Sequence, residues 1–143
     1  MMKEKKYLPS EYIDVIDKVV DWKTAVEIAS QPLLKDHLIT EQYVQNMIQS
    51  VEDNGPYMVL ADYFALMHAR PGEGVNEQSM SMLVTKEPVD LEGKKVKIFF
   101  VLAAEDNNSH LASLSHIMEI FLDTDKYQIV LSGDKEAIIQ LFN

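Results

Sequence analysis

The hydrophobic positions in the first third of the chain recur with helical spacing. One apolar face begins after Asp21, a residue type that caps helices, and Pro32 is expected to end this helix or to open the next turn. A second apolar face follows Thr40, which is also expected to act as a cap, and stops at the Asn-Gly-Pro sequence of residues 54–56. The pattern therefore predicts two amphipathic helices. Their apolar residues are Trp22, Ala25, Ile28 and Ala29 in the first helix and Tyr43, Val44, Met47, Ile48 and Val51 in the second.

Extended periodicity replaces the helical one in the middle of the chain. Strands are predicted near residues 12–16, ahead of the helices, and over residues 57–62 and 64–68. Residues 78–89 alternate methionine and valine with serine and threonine, which indicates a strand with one face in solvent. Residues 98–104 are apolar without interruption, as expected for a central strand that is covered on both faces.

The last third of the chain returns to helical spacing after a polar loop. Asn108 or Ser109 is expected to cap a helix that runs over residues 110–122. A short strand is predicted at residues 127–131, and a final helix at residues 135–142. Helices and strands on both sides of one fully apolar strand predict an α/β fold, arranged as a three-layer sandwich. The pattern leaves the order of the strands open.

Composition is typical of a globular protein with one domain. The 143 residues are 47% hydrophobic and 25% charged, and a chain of this length is expected to form a single domain, residues 1–143. No apolar run approaches the ~20 residues that a membrane-spanning helix needs, and the amino-terminal segment lacks the apolar core of a signal peptide. The absence of cysteine excludes disulfides and thiolate chemistry. We therefore expect a cytoplasmic protein.

The charge balance argues against a nucleic-acid partner. The formal net charge is −10, from 23 acidic and 13 basic residues, and such a surface repels phosphate backbones. The one basic cluster, GKKVK at residues 93–97, is also typical of a solvated turn that leads into a strand. No nucleic-acid binding is expected.

The four histidines are the side chains whose ordinary pKa, ~6.5, suits nucleophilic or acid–base chemistry near neutral pH. His37 lies in a polar turn and His116 lies out of phase with the apolar face of its helix, so both are interpreted as surface residues. His68 ends an apolar strand and is followed by Ala-Arg-Pro-Gly-Glu-Gly. The glycines permit a close approach of backbone N–H groups to a ligand, and Arg70 offers a planar set of donors for phosphate oxygens. An ordinary strand-end histidine is the alternative interpretation of His68.

His110 lies in the first turn of the helix that follows the central strand. The N–H groups at a helix start and the positive end of the helix dipole favour an anion there. If the strand that ends at His68 is a neighbour of the central strand, the two imidazoles can meet over one pocket. A histidine at a helix start is often incidental, and it is the combination with Arg70 that favours a site.

These residues limit the chemistry that the chain can perform. No HxxxH or HxH spacing supplies converging metal ligands, and the glycine loops of kinases and Walker-type ATPases and the nucleophile elbow of serine hydrolases are absent. The remaining chemistry is an imidazole nucleophile that accepts a phosphoryl group, because phosphoryl transfer depends mainly on positioning and charge stabilisation. His68 is the candidate acceptor.

The chain resembles the enzyme IIA components of the sugar phosphotransferase system (PTS), of the mannitol/fructose type, and the L-ascorbate-specific branch looks nearest. The resemblance extends over nearly the whole chain and is most specific around His68. It runs through DWKTAVEIA, the L-x-x-x-x-L-I-T segment at residues 33–40, NGPYMVLADYFALMHARPGEGV, Pro88-Val89 and NNSHLASL. It implies the fold of mannitol-type enzyme IIA, a mixed β-sheet flanked by helices, in a single domain of the PTS EIIA type-2 kind.

The resemblance implies a phosphotransferase that works through a phosphohistidine. His68 is then the residue that accepts a phosphoryl group from the phosphorylated histidine-containing phosphocarrier protein, with Nε2 as the nitrogen that the family suggests. The group passes to a cysteine of enzyme IIB, which phosphorylates the sugar that enters through the membrane component IIC. His110 matches the family's second histidine, which stabilises the phosphoryl group. No metal or organic cofactor is implied. The implied sugar is L-ascorbate, with a pentitol or a related sugar acid as the alternative.

Two departures from the family pattern concern the surroundings of His68. The family usually reads A-L-P-H-A-R-P, whereas Met67 precedes His68 here, so the restriction that proline places on the backbone is lost. The mannitol branch also carries an arginine upstream of its histidine, and the matching segment SVEDNG has none. Because Arg70 is the only arginine of the chain, we expect Arg70, His110 and backbone amides to share the stabilisation of the phosphoryl charge.

Two other functions fit the same residues. One is a regulatory module whose phosphorylation state controls a partner such as a transcriptional activator; the absence of an attached helix-turn-helix segment favours transport instead. The other is a non-catalytic binding domain with a degenerate site. Only Met67 suggests this last function, and the combination of His68, Arg70 and His110 disfavours it. The sequence does not predict an oligomeric state.

Overall fold

The computed structural model describes the backbone of residues 8–142 and, within that span, every side chain except those of residues 109–114 and 116. In this part of the chain, five strands and five helices follow a single 3₁₀ turn at Ser10–Tyr12. The strands are β1 (Ile13–Ile16), β2 (Val59–Ala61), β3 (Tyr63–Met67), β4 (Ser79–Leu91) and β5 (Lys94–Ala103). The helices are α1 (Trp22–Lys35), α2 (Glu41–Asn54), α3 (Asn107–Phe121), α4 (Thr124–Leu131) and α5 (Lys135–Phe142).

The strands form one mixed sheet in the order β1-β4-β5-β3-β2. β4 and β5 form an antiparallel hairpin, whereas β1 is parallel to β4 and β3 is parallel to β5. β5 lies at the centre of the sheet, which confirms the prediction for residues 98–104. Because β3 and β5 are parallel neighbours, their carboxyl ends reach the same edge of the sheet.

Helices cover both faces of this sheet. Successive residues of β5 point to opposite faces, so Phe99 and Val101 pack against α1 and α2, whereas Phe100 and Leu102 pack against the side of α3, α4 and α5. All four side chains are fully buried. The result is the predicted three-layer α/β sandwich. Among the described residues, no helix is both long enough and apolar enough to cross a membrane.

α1 continues through Pro32, so the prediction that this proline ends the helix is wrong. Asp21 caps the helix as predicted, since its carboxylate accepts a 2.8 Å hydrogen bond from the Thr24 N–H. The helix ends only where the Asp36 N–H donates to the Pro32 carbonyl. Proline removes one helical hydrogen bond, but Leu33 beside it is fully buried in the core. This burial keeps the last turn on the sheet.

β4 is covered on both faces over its first half, so the prediction of one solvated face is wrong. Ser79, Ser81 and Thr85 are all buried. α1 covers this face, and its Ala29 carbonyl accepts a 2.5 Å hydrogen bond from Ser81 Oγ. Thr85 Oγ1 donates to the Glu87 carbonyl at 2.8 Å. A hydroxyl that reaches a carbonyl can be buried at little cost, so Ser81 and Thr85 are accommodated on a face that a helix covers.

Residues 124–131 form helix α4, so the strand predicted at residues 127–131 is wrong. Asp123 caps this helix and accepts a 3.2 Å hydrogen bond from the Lys126 N–H. The Tyr127 hydroxyl donates to the Asp62 carbonyl and links α4 to the start of β3. Short apolar runs have no diagnostic period, and here the cap and the packing of the segment on the sheet determine the helix.

The other helices agree with the predictions except at their ends. All five residues predicted for the apolar face of α2 are buried. α3 begins at Asn107, so Asn108 and Ser109 lie within its first turn and are not its cap. α5 has the predicted bounds. The strand predicted at residues 57–62 is present as the shorter β2, and the strand predicted at residues 64–68 is present as β3, which begins and ends one residue earlier.

Candidate active site

His68 follows β3 directly, at the edge of the sheet where β3 and β5 both end. The last residue of β3, Met67, pairs with Val101 of the central strand. Met67 is fully buried in the core between the sheet and α1 and α2. The strand pairing therefore holds the backbone up to the residue before His68.

The imidazole of His68 has a defined orientation. Its Nδ1 lies 2.8 Å from the carbonyl oxygen of Leu66. Because a carbonyl oxygen only accepts hydrogen bonds, Nδ1 carries a proton and donates it. The lone pair of the neutral ring is then on Nε2. The ring itself is half-buried, and the Tyr57 ring lies nearly perpendicular to it.

His68 lies in an open cleft of about 570 Å³. Arg70 and Pro71 line the cleft together with Asn107, the first residue of α3. Arg70 is exposed, and among the described lining residues it alone carries a fixed positive charge. The start of α3 therefore adjoins the loop after His68, as expected if β3 and β5 are neighbours. His110 lies in the first turn of α3, but its side chain lies outside the described residues.

One wall of the cleft is the polar face of α2, which is not among the site residues predicted from the sequence. The signal was present in the sequence, since these polar residues recur at spacings of three and four and so share one helical face. Gln49 Nε2 donates to Asp53 Oδ1 at 2.9 Å, which orders part of this wall. The residues of the wall are Asn46, Gln49, Ser50, Asp53 and Asn54, followed by Tyr57.

The loop after His68 is held by hydrogen bonds to β5 and α2. The buried Tyr43 hydroxyl donates to the Leu102 carbonyl at 2.5 Å and accepts from the Ala69 N–H at 3.1 Å. Burial raises the pKa of Tyr43 to about 12, further above neutral pH than the ordinary value. The Gly72 N–H donates to the Ala104 carbonyl at 2.9 Å.

Gly74 brings the far end of this loop against the start of α2. Its φ is +77°, and a Cβ at this position would lie 2.9 Å from the Tyr43 backbone nitrogen. The Gly74 carbonyl accepts hydrogen bonds from the Thr40 N–H at 2.9 Å and from the Thr40 hydroxyl at 3.3 Å. Thr40 occupies the cap position of α2 as predicted, but its side chain binds the loop and makes no cap hydrogen bond to the helix.

The remaining histidines and the acidic residues form no further centre in the described part of the chain. His37 is exposed in a turn, where its carbonyl accepts a hydrogen bond from Asn76 Nδ2 at 2.9 Å, as predicted for a surface residue. The His116 side chain lies outside the described residues. Among the described side chains, no group of three or more histidines or carboxylates could hold a metal ion.

Sequence comparisons identify relatives of this chain. The sequence model of the family "Phosphoenolpyruvate-dependent sugar phosphotransferase system, EIIA 2" matches residues 6–143. The mannitol-specific cryptic phosphotransferase enzyme IIA component of Escherichia coli is 30% identical over 137 residues, which are 94% of this chain and 93% of the relative. The ascorbate-specific PTS system EIIA component of Escherichia coli is 31% identical over 110 residues, which are 74% of this chain and 71% of the relative.

A structural comparison agrees with the sequence comparisons. The solution structure of the mannitol-specific cryptic enzyme IIA from Escherichia coli matches with a TM-score of 0.89, at 28% identity and over 95% of each chain. The mixed sheet flanked by helices is thus the fold of mannitol-type enzyme IIA. The chain therefore belongs to the EIIA 2 family of the phosphoenolpyruvate-dependent sugar phosphotransferase system, whose members are phosphotransferases that pass a phosphoryl group by way of a histidine.

Proposed function

We propose that residues 1–143 act as one cytoplasmic phosphocarrier domain in which His68 is the phosphoryl acceptor. The donor is the phosphorylated histidine-containing phosphocarrier protein. The acceptor is a cysteine of enzyme IIB, which phosphorylates a sugar that enters through the membrane component IIC. Family membership supports the roles of donor and acceptor, and the surroundings of His68 support the choice of residue.

The hydrogen bond between His68 Nδ1 and the Leu66 carbonyl is the observation that carries this proposal. The Nε2 lone pair attacks phosphorus while the bond from phosphorus to the donor's histidine nitrogen breaks, and that nitrogen leaves with the bonding electrons. Nδ1 keeps its proton, so the phosphorylated ring is cationic, and the Leu66 carbonyl stabilises the Nδ1–H. When the cysteine thiolate attacks phosphorus, the electrons of the N–P bond return to Nε2. Neither step requires His68 to gain or lose a proton.

The charge on the phosphoryl oxygens needs donors around Nε2. Arg70 lines the same cleft and can bind two oxygens with its planar guanidinium. The first turn of α3 adjoins the cleft at Asn107, and N–H groups at a helix start favour an anion. His110 lies in that turn, and we assign it the role of a second stabiliser of the phosphoryl group. We propose that these groups take the role of the upstream arginine of the mannitol branch. The matching segment here, SVEDNG, has no arginine and contributes amide and acidic side chains to the wall of the cleft.

One experiment tests the acceptor. The protein is incubated with phosphoenolpyruvate, enzyme I and the phosphocarrier protein, and the phosphorylated peptide is located by mass spectrometry under alkaline conditions. We expect an acid-labile phosphoryl group on the His68 peptide, no label in His68→Ala, and slowed but measurable labelling in His110→Ala. Labelling of the His110 peptide, or of neither peptide, would overturn the proposal.

A second experiment tests the place of the protein in transport. The phosphorylated protein is mixed with purified enzymes IIB of the ascorbate-specific and the mannitol-specific type. We propose L-ascorbate as the sugar, with a pentitol or a related sugar acid as the alternative, and therefore expect faster transfer to the ascorbate-type enzyme IIB. Equal or faster transfer to the mannitol-type enzyme would contradict this choice of sugar. Transfer to neither would favour a regulatory module.

A further inference from the structure

We propose that Tyr43 is a positioning residue for phosphoryl transfer, because its hydroxyl connects the end of β5 to the backbone immediately after His68. This inference rests on the proposed role of His68. Tyr43 lies in the first turn of α2, 26 residues before Ala69 and 59 residues before Leu102, so the sequence gives no local sign of the connection.

The Tyr43 hydroxyl continues the connection between β3 and β5 past the point where their direct pairing ends. The last paired residues are Met67 and Val101. Beyond them, the Ala69 N–H donates to the Tyr43 oxygen, and the Tyr43 O–H donates to the Leu102 carbonyl. The Tyr43 hydroxyl thus lies between the Ala69 N–H, which follows β3, and the Leu102 carbonyl of β5. It connects the backbone immediately after His68 to the end of β5.

This connection is built into the core. Tyr43 is 0% exposed, and its hydroxyl donates to one backbone group and accepts from another at the same time. Gly74 packs against the same residue, since a Cβ there would approach the Tyr43 backbone nitrogen to 2.9 Å. The loop from Ala69 to Gly74 is therefore hydrogen-bonded to the Tyr43 hydroxyl at its first residue and packed against the Tyr43 backbone at its last.

The position of Ala69 makes the connection relevant to the chemistry. Ala69 lies between His68 and Arg70, so a shift of its backbone moves both the nucleophile and the proposed charge stabiliser. Displacements of about 1 Å from a productive geometry reduce rates by roughly two orders of magnitude in other enzymes. Tyr43 itself does not line the cleft, so it acts through Ala69 and not on the substrate.

The test is Tyr43→Phe, which removes one oxygen and keeps the ring in the core. Tyr127→Phe is the matched control, since Tyr127 also donates its hydroxyl to a backbone carbonyl, that of Asp62, away from the cleft. Phosphorylation of each protein is followed by rapid quench over a range of phosphocarrier concentrations. We expect Tyr43→Phe to lower the maximal rate constant about tenfold, with KM for the phosphocarrier and the final yield of phosphohistidine unchanged. Tyr127→Phe should keep the rate of the unsubstituted protein.

The yield separates positioning from a merely structural role. A variant that is partly unfolded gives a lower yield with an unchanged rate constant, and that outcome would overturn the inference, as would a Tyr43→Phe rate constant within twofold of the unsubstituted protein. Absence of label on His68 in the unsubstituted protein would instead overturn the proposed function, and this inference with it.

A measurement on the unsubstituted protein tests the connection without any variant. Amide hydrogen exchange at Ala69 reports directly on the hydrogen bond to the Tyr43 hydroxyl. We expect the Ala69 amide to be protected before and after phosphorylation, and to exchange faster in Tyr43→Phe. Exchange at Ala69 in the unsubstituted protein as fast as at exposed loop amides would show that the connection does not persist, and would overturn the inference.

Discussion

The rings of Tyr57 and His68 meet nearly at a right angle, with centroids 6.2 Å apart and an interplanar angle of 83°. The Tyr57 hydroxyl shares a 2.7 Å hydrogen bond with Ser50 of α2. The end of α2 is thus connected to the imidazole through one aromatic ring. Tyr57 is 48% exposed, so this ring supports His68 and also forms part of the cleft wall.

Removal of the Tyr57 ring should slow phosphoryl transfer. Perpendicular aromatic pairs contribute about 0.5–1.5 kcal/mol, so we expect Tyr57→Ala to lower the rate of His68 phosphorylation about fivefold. Tyr57→Phe keeps the ring contact and loses only the bond to Ser50, so its rate should stay near that of the unsubstituted protein. Rapid-quench kinetics with the phosphocarrier measure both variants. Equal losses in the two variants would show that the hydroxyl, and not the ring, supports His68.

Arg70 should affect the rate of His68 phosphorylation and not the stability of the fold. It is exposed and lines the cleft, so Arg70→Ala is expected to leave the melting temperature unchanged and to lower the rate about tenfold or more, as for the loss of a hydrogen bond to a charged group. Arg70→Lys keeps a positive charge but loses the planar pair of donors, so its rate should lie between that of Arg70→Ala and that of the unsubstituted protein. An unchanged rate in Arg70→Ala would assign the charge stabilisation to α3 and the backbone amides.

Gly74→Ala should destabilise the protein more than Gly93→Ala. Both glycines have positive φ, +77° and +98°, so an added Cβ costs each about 1–2 kcal/mol of conformational strain. At Gly93 nothing lies within 4 Å of the new Cβ, whereas at Gly74 it would lie 2.9 Å from the Tyr43 nitrogen. Urea unfolding followed by circular dichroism measures the difference in free energy of unfolding. Equal losses would mean that the loop shifts away from α2 without cost.

Two serines of β4 provide a second matched pair. Ser81 Oγ is buried and donates to the Ala29 carbonyl, so Ser81→Ala should lower the free energy of unfolding by about 1 kcal/mol. Ser79 Oγ is also buried, and among the described residues it has no hydrogen-bond partner. Ser79→Ala should therefore leave the stability unchanged or raise it. A loss in Ser79→Ala as large as that in Ser81→Ala, in the same unfolding experiment, would contradict this assignment.

Asp21 should contribute stability that is lost in acid. The backbone hydrogen bond from Thr24 lowers the pKa of Asp21, because it favours the carboxylate in the folded state. The contribution is therefore fully present above the ordinary carboxyl pKa of ~3.9 and disappears as the pH falls through the lower folded pKa. Asp21→Asn caps the helix without titrating, so its loss of stability between neutral and acidic pH should be smaller. An identical loss in the two proteins, measured by urea unfolding at each pH, would contradict this.

The elements that could be predicted from the sequence are those with a hydrophobic pattern that continues over many consecutive residues. The apolar face of α2 and the unbroken apolar run of β5 are of this kind, and both are as predicted. The errors arise where tertiary contacts outweigh local preference. Burial of Leu33 carries α1 past Pro32, and α1 covers the serines of β4 that alternate like a solvated face. The strand order depends on long-range pairing, for which the sequence has no local signal.

The site could be predicted only in part for the same reason. His68 and Arg70 are adjacent in the sequence to the proline and glycines that shape their loop, so local chemistry indicated them. The α2 wall and the Tyr43 hydroxyl belong to the site through contacts between distant segments. The polar period of α2 offered a weak signal for the wall. Tyr43 is the one residue with a hydroxyl on the buried face of α2, which indicates that it needs a hydrogen-bond partner, but the sequence does not show that this partner lies beside His68.

The strand order of the sheet also sets when the site is assembled during folding. The β4–β5 hairpin closes a turn between Leu91 and Lys94, whereas β3 must pair with β5 across the whole of β4. Local contacts form before distant ones because short loops lose less entropy on closure. The hairpin is therefore expected to be complete while the segment that carries His68 is still undocked. During refolding, the ability to accept phosphate should return after most of the secondary structure, which makes it a reporter of the last native contacts.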